Sequence, residues 1–160
     1  MILDAHSTSL QAADGHAFAV LHCLPAQPRA RLLWLPALGV AARHYLPLAQ
    51  ALAAQDIAVY LHEWRGNGSS SLRPSRVQDW GYREILEQDL PASQQLLLQH
   101  DQQDRVLPWI VGGHSLGGQL ACLHAGRFPA DFQHLWLVAS GTPWWRSFPA
   151  PPGWLLPLAY

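Results

Sequence analysis

The stretch Gly113-His114-Ser115-Leu116-Gly117 decides the fold of this chain. It follows a short apolar run, Pro108-Trp109-Ile110-Val111-Gly112, that is suited to a buried strand, and leucines recur behind it at the spacing of a helix face. A serine at such a strand-to-helix turn takes strained backbone angles with φ above zero, so its flanking positions need residues without bulky side chains. The two flanking glycines meet that need. The pattern therefore predicts a nucleophile elbow with Ser115 as the nucleophile.

Composition limits the kinds of partner this chain is built for. Its 160 residues are 49% hydrophobic and 13% charged, which is typical of one compact domain with a sizeable core. The net charge is −1 and no block of Lys or Arg occurs, so neither nucleic acid nor an anionic membrane surface is expected as a partner. A small-molecule substrate is the expectation.

Local signals point to a reduced compartment and to chemistry without a cofactor. Cys23 and Cys122 are isolated thiols, which favours an intracellular protein in which both serve as packing residues. The first residues lack a signal-peptide pattern and no apolar run is long enough to span a bilayer, so a cytoplasmic protein is expected. No pair of histidines has metal-ligand spacing and no nucleotide-binding glycine motif is complete, so neither metal nor cofactor is expected.

Strand-like and helix-like segments alternate along the chain. A hairpin is predicted around Asp14-Gly15, and further strands over residues 31–35, 57–61 and 135–139. Helices are predicted near residues 45–52, over 79–100 with a break at Pro91, and behind Ser115 as far as Phe128. This alternation predicts an α/β fold with a mostly parallel sheet and helices on both faces. The strand-like runs place three tryptophans in the core, Trp34, Trp109 and Trp136.

Three motifs in one order carry a family resemblance. They are Leu35-Pro36-Ala37-Leu38-Gly39-Val40 with Arg43-His44-Tyr45 behind it, then Glu63-Trp64-Arg65-Gly66-Asn67-Gly68-Ser69-Ser70, then the elbow. Together they resemble the α/β-hydrolase superfamily, most closely a bacterial group in which a Pro-Ala-x-Gly-Val loop replaces the usual His-Gly loop. That group also has a Trp/Tyr-Trp-Arg stretch after its sixth strand, where this chain has Trp144-Trp145-Arg146. The resemblance covers practically the whole chain but only about the first half of a complete member.

The resemblance assigns roles around the elbow. Ser115 would attack the acyl carbon, and the backbone N–H of Leu116 would be one donor of the oxyanion hole. The second donor would come from the loop after the third strand, at Leu38, with Ala37 as the neighbouring possibility. The loop from Glu63 to Ser70 is mainly a structural turn in this superfamily, so no chemistry is assigned to it.

The activating acid and histidine are the missing parts of the predicted site. Asp131 and His134 are expected at the wrong edge of the sheet, because the connection that carries them leads into the next strand from the end opposite the elbow. His114 is expected to be directed away at the turn, and His124 to lie on the surface of the elbow helix. The resemblance implies an Asp after a seventh strand and a His after an eighth, both beyond Tyr160.

The domain assignment follows from this shortfall. Residues 1–141 are predicted to form the N-terminal part of an α/β-hydrolase core without its last two strands, which leaves the strand at 135–139 near an exposed edge. Residues 142–160 would begin a Pro- and Trp-rich cap or lid, truncated at Tyr160. There Trp144 and Trp145 would either line an apolar acyl pocket or seal the sheet.

Two functions remain open at this point. The first is a serine hydrolase, esterase-like on a small apolar acyl ester. The second is a non-catalytic or truncated member of the fold that acts as a binding or interaction module, which the absence of the acid and histidine favours.

Overall fold

The computed structural model of the chain describes residues 4–100 and 107–141. Within them, six strands form one sheet in the order β1-β2-β4-β3-β5-β6. The strands are β1 (His6–Gln11), β2 (Ala17–Cys23), β3 (Ala30–Leu35), β4 (Ile57–Leu61), β5 (Trp109–His114) and β6 (His134–Val138). The hairpin β1-β2 and the pair β2-β4 are antiparallel, and the remaining pairs are parallel. The α/β architecture with a mostly parallel sheet is confirmed.

Helices cover both faces of this sheet, as predicted. They are a 3₁₀ turn (Ala42–Tyr45), α1 (Leu46–Ala53), α2 (Tyr82–Glu84), a π-helical turn (Ile85–Asp89), α3 (Leu90–Gln99) and α4 (Leu116–Arg127). Side chains alternate across a strand, so the buried strand β3 serves two cores. Leu32 and Trp34 pack with α1 on one face, and Leu33 and Leu35 pack with α3 and α4 on the other.

The long helical segment predicted over residues 79–100 begins at Tyr82 and changes its winding just before Pro91. Proline lacks an amide hydrogen, and its ring clashes with the carbonyl four residues earlier in a continuous α-helix. The chain meets this constraint with one π-helical turn, in which the N–H of Leu90 donates to the carbonyl oxygen of Ile85. The predicted break is therefore a local change of helix type rather than an interruption.

Two predicted packing residues are more exposed than expected. Cys23 is buried, but Cys122 lies on the exposed side of α4, where the helix faces away from the sheet. Trp136 is 36% exposed, although its ring packs edge-on against Trp34 at 5.2 Å between centroids. Both expectations were wrong because periodicity within a segment does not show whether a second element covers it.

Strand β6 lies at one edge of the sheet formed by the described residues. All five of its residues are exposed, including Leu135 and Leu137. Residues 142–160, with Trp144 and Trp145, fall outside the described part of the chain, so their predicted role as a cap remains a prediction.

Candidate active site

Ser115 occupies the turn between β5 and α4 in a strained conformation, with φ at 55° and ψ at −120°. Few residues other than glycine adopt positive φ, so the surrounding structure must hold the serine there. Its own N–H donates to the carbonyl oxygen of Val138 at 2.9 Å, which ties the turn to the end of β6. The side chain is only half-buried, and the hydroxyl is therefore presented at the carboxyl ends of the parallel strands.

The glycines beside Ser115 are required by close packing. A Cβ added at Gly113 would lie 2.6 Å from the carbonyl oxygen of Leu35, and one added at Gly117 would collide with the carbonyl oxygens of Leu35 and Pro36. Because neither contact is possible for a real side chain, these positions let the elbow approach the end of β3. The elbow and the loop after β3 are thereby brought side by side.

Two side chains hold that loop in place. The hydroxyl of Tyr45 accepts a hydrogen bond from the N–H of Ala37 at 3.0 Å and is also bonded to Nδ1 of His114 at 2.9 Å. The indole N–H of Trp64 donates to the carbonyl oxygen of Pro36 at 2.9 Å. Tyr45 thus connects the loop after β3 to the strand that carries the nucleophile.

These contacts distinguish the two candidate donors of the loop. The N–H of Ala37 is already used by Tyr45, whereas no acceptor for the N–H of Leu38 lies among the described residues. Leu116 is the first residue of α4, so its N–H has no acceptor within the helix. Leu38 and Leu116 also line one and the same cavity. The arrangement favours the N–H of Leu38 over that of Ala37 as the second predicted donor of the oxyanion hole, beside the N–H of Leu116.

The cavity beside these residues has a volume of about 230 Å³. It lies between the loops after β3 and β4, the beginning of the α2 segment and the elbow. Its lining is Leu38, Gly39, Trp64, Arg65, Asn67, Trp80, Gly81, Tyr82, Ile85 and Leu116. Trp80 and Tyr82 have no predicted binding role, because a helical pattern over 79–100 does not show what the start of the segment lies against.

No carboxylate or imidazole within residues 4–100 and 107–141 is hydrogen-bonded to the hydroxyl of Ser115. His114 is engaged by Tyr45. His124 is fully buried rather than on the surface of α4, contrary to expectation, and its Nε2 is 2.7 Å from Oε1 of Gln94. Burial lowers the pKa of His124 to about 4, with a smaller contribution from Arg127. None of these groups is placed to act as a base on Ser115.

Asp131 and His134, which the sequence argued against as catalytic partners of Ser115, lie where they were expected. Asp131 accepts a hydrogen bond from Nε2 of Gln94 at 2.6 Å. The N–H of Gln133 donates to the carbonyl oxygen of Trp109, the first residue of β5, so this connection lies at the amino ends of the parallel strands. Asp131 and His134 are thus at the edge of the sheet opposite Ser115.

A second serine stands in a complete chain of hydrogen bonds that the sequence did not indicate. The hydroxyl of Ser70 is 2.9 Å from Nε2 of His16, and Nδ1 of His16 is 2.9 Å from Oδ1 of Asp89. Arg65 donates to both oxygens of Asp89 at 2.7 Å and reaches Asp14 at 2.7 Å. The four residues that form this chain are 7% exposed or less. The resulting cluster, Ser70-His16-Asp89-Arg65, is referred to below as the buried ion cluster.

The carboxylate of Asp89 keeps its charge inside the buried ion cluster. Burial alone would raise the pKa of Asp89, but hydrogen bonds from His16 and Arg65 outweigh it, and the pKa lies below its usual value. The hydroxyl of Ser70 also accepts hydrogen bonds from the N–H groups of Gly66 and Leu72. The loop after β4 is therefore a structural turn fixed to the rest of the fold.

Neither a metal site nor a membrane segment is found in the described part of the chain. No group of three or more His, Cys, Asp or Glu side chains there could hold a metal ion. Within the same residues, no helix combines the length and the apolar character needed to cross a bilayer.

Comparison with known proteins identifies a hydrolase family and solved α/β-hydrolase structures. The family model described as serine aminopeptidase, S33, matches residues 26–159. No curated protein sequence matches the chain. Among solved structures, an α/β hydrolase from Novosphingobium aromaticivorans is similar at 26% identity and a TM-score of 0.64, over 86% of this chain and 45% of that one.

Two further solved structures share the fold. An esterase from Exiguobacterium antarcticum is 19% identical with a TM-score of 0.69, and the match covers 86% of this chain and 47% of the esterase. An epoxide hydrolase from Vigna radiata is 16% identical with a TM-score of 0.66, over 84% of this chain and 38% of that enzyme. The chain thus spans less than half the length of these three structures.

Proposed function

Because the chain belongs to the serine aminopeptidase S33 family of α/β hydrolases, we propose that it is the N-terminal part of a serine hydrolase that cleaves small apolar acyl esters. The observation that carries the proposal is the backbone of Ser115, held at φ 55° at a strand-to-helix turn beside the amides of Leu38 and Leu116. Enzymes of this kind need an exposed hydroxyl opposite preorganised N–H donors.

The proposed reaction proceeds in two steps at this site. The oxygen of Ser115 attacks the acyl carbon while a base takes its proton, and the carbonyl oxygen becomes an oxyanion between the N–H groups of Leu38 and Leu116. Collapse expels the alcohol, which receives that proton, and leaves an acyl ester on Ser115. Water then attacks the same carbon with help from the same base and releases the acid.

The base and its acid partner are proposed to lie beyond Tyr160, as an Asp and then a His at the ends of two further strands. The solved relatives are about twice as long as this chain, which leaves room for both residues. Trp144 and Trp145 are proposed to line the apolar side of the substrate site. The cavity supports an ester over a peptide with a free amino terminus, because none of the lining residues within 4–100 and 107–141 carries a carboxylate that would bind a substrate ammonium group.

A fluorophosphonate probe tests the nucleophile directly, since it labels only an activated serine. We expect the complete product of the open reading frame to be labelled and to hydrolyse p-nitrophenyl butanoate, and Ser115→Ala to lose both. Ser9→Ala is the matched control, since Ser9 is exposed on β1 far along the chain from the elbow. Equal labelling of the wild type and Ser115→Ala would reject Ser115. Absence of labelling in the wild type would favour the non-catalytic alternative, a binding module on this fold.

A further inference from the structure

The cavity beside the elbow has the character of a binding site for an apolar ring. Three aromatic side chains, Trp64, Trp80 and Tyr82, line it together with three aliphatic ones, Leu38, Ile85 and Leu116. All of these residues belong to the segments that follow β3, β4 and β5, the edge where open α/β sheets bind ligands. Its walls are thus set by the same loops that hold the proposed oxyanion donors.

Arg65, the one charged residue among the described lining residues, offers no unbalanced charge to a ligand. The guanidinium of Arg65 donates to both oxygens of Asp89 and to Asp14, so its charge is neutralised inside the protein. A carboxylate entering the cavity would lose its hydration without gaining a free cation. The lining therefore selects for an uncharged group.

We propose that this cavity holds the acyl group of the substrate and selects an uncharged acyl group that carries one aromatic ring. The proposal rests on the proposed function, because the position of the acyl carbon is taken from Ser115 and from the amides of Leu38 and Leu116. Aromatic walls favour an aromatic ring over an alkyl group of equal area, through edge-to-face and offset contacts.

The volume sets the size of that group. A buried apolar cavity of about 150 Å³ is known to hold benzene, so about 230 Å³ accommodates a phenyl ring with a short linker. A 3-phenylpropanoyl group has this size. Larger acyl groups would extend out of the cavity.

The position of Trp80 is defined by close contact with the loop after β4. A Cβ added at Gly66, where φ is +80°, would lie 3.0 Å from the Trp80 ring. The ring therefore lies close to the backbone of Gly66, and Trp80 forms one wall of the cavity. Tyr82 forms another wall and is 55% exposed, so it contributes little to the folded core.

A pair of isomeric esters separates the acyl side from the alcohol side. Ethyl 3-phenylpropanoate carries the ring on the acyl group, and 3-phenylpropyl acetate carries it on the alcohol. In the complete protein we expect kcat/KM to be about tenfold higher for the first ester, and about fivefold higher than for ethyl 3-cyclohexylpropanoate. A preference for 3-phenylpropyl acetate would place the alcohol in the cavity and overturn the proposal, and so would equal rates for the three esters.

Variants locate the selectivity in the cavity. Trp80→Ala is expected to lower kcat/KM for ethyl 3-phenylpropanoate about tenfold relative to ethyl butanoate, and Tyr82→Ala about threefold. Val77→Ala is the control, because Val77 lies in the same loop, is 97% exposed and does not line the cavity. Tyr82→Ala decides the question if Trp80→Ala does not fold. An unchanged ratio in the folded variants would reject the assignment.

Failure of this inference is distinguishable from failure of the proposed function. If Ser115 is labelled by the fluorophosphonate but the ester preferences are absent, only the assignment of the cavity is wrong. If the wild type is neither labelled nor active, calorimetry with the unreactive 3-phenylpropanamide tests the cavity alone. We then expect Kd to be about tenfold weaker in Trp80→Ala, and equal Kd values would overturn the inference.

Discussion

Ser115 and Ser70 both stand in glycine-rich turns at the carboxyl ends of parallel strands, yet their surroundings are opposite. Ser70 has a histidine and an aspartate aligned behind its hydroxyl, but it is 5% exposed and accepts hydrogen bonds from two backbone amides. Ser115 has no such partners within the described residues, but it is half-buried at a strained turn, and its neighbour Leu116 lines a cavity together with Leu38.

Under the proposed function, a Ser-His-Asp chain of hydrogen bonds does not by itself make a nucleophile. The lone pairs of Ser70 are engaged by the N–H groups of Gly66 and Leu72, and the residue is only 5% exposed. Its histidine and aspartate serve to connect the loop after β4 to β2 and to the π-helical turn. Backbone strain and access therefore favour Ser115 over Ser70 as the proposed nucleophile.

The largest effect expected from this comparison is on reactivity. Ser115→Ala should reduce the rate of ester hydrolysis at least about a thousandfold, because the nucleophile is removed. Ser70→Ala should keep fluorophosphonate labelling within about twofold while lowering the free energy of unfolding, since it leaves buried N–H groups unpaired. Gel-based labelling of both variants, normalised to folded protein by circular dichroism, makes the measurement. Loss of labelling in a folded Ser70→Ala variant would mean that the two serines have been assigned the wrong way round.

The next effect is on stability and concerns Asp89. Asp89→Asn removes the negative charge that faces Arg65 and His16, and it should lower the free energy of unfolding by about 4 kcal/mol, the range for a broken buried ion pair. Asp14→Asn is the matched control, because the side chain of Asp14 is 34% exposed and its loss should cost about 1 kcal/mol or less. Urea denaturation of both variants at pH 7 compares them. Equal losses would contradict a central role for Asp89 in the buried ion cluster.

A smaller effect concerns pH and His62, which packs on Phe18 next to the buried ion cluster. Burial lowers the pKa of His62 to about 3, although the charge of Asp89 acts in the opposite direction. His16, His124 and Arg65 lower this pKa further, and Nδ1 of His62 is 2.9 Å from the hydroxyl of Ser93.

The sign of the pH effect follows from this shift. In the unfolded chain the imidazole binds a proton near pH 6.5, so the unfolded state gains protons that the native state does not bind. The contribution of His62 to stability should therefore be present above pH 6.5 and fall by about 3 kcal/mol between pH 7 and pH 4. Denaturation curves at several pH values should show a shallower fall for His62→Gln than for the wild type. Asp89 adds little in this window, because its depressed pKa moves its own loss of stability below pH 4.

The smallest expected effect sharpens the assignment of the elbow. Tyr45→Phe removes the hydroxyl that joins the N–H of Ala37 to His114, which frees the loop that carries Leu38. We expect kcat to fall about tenfold with KM within twofold, because the oxyanion donor is positioned less well for the transition state than for the substrate. The exposed neighbour variant His44→Ala should leave both constants unchanged. A fall in thermal stability with kcat intact would make Tyr45 a structural residue only.

The elements of the fold were largely predictable because their signals are local. The hairpin at Asp14-Gly15, the strands β3 to β6 and the end of α4 at Phe128 all follow from turn residues and periodicity. The positive φ of Ser115 was predictable for the same reason, since Gly113 and Gly117 lie only two positions away on either side of it.

Long-range contacts could not be predicted in the same way. His16 and Asp89 are 73 positions apart, and nothing in the local sequence of either indicates that they meet. The burial of His124 depends on Gln94 of another helix, and the exposure of Trp136 depends on what covers β6. Trp80 and Tyr82 fall at the start of the segment predicted as helical, and periodicity within a segment does not show that its first residues line a cavity with the loops after β3 and β5.

The π-helical turn from Ile85 to Asp89 sets the rotation of Tyr82 about the helix axis relative to Asp89. It holds one residue more than an α-helical turn would, and each residue turns a helix by about 100°. Tyr82 on one side of it faces the cavity, and Asp89 at its end faces Arg65. A natural variant with one residue deleted in this turn would keep a helix there but rotate the cavity wall away from the elbow. A change of length in this turn would therefore alter the wall of the proposed acyl site.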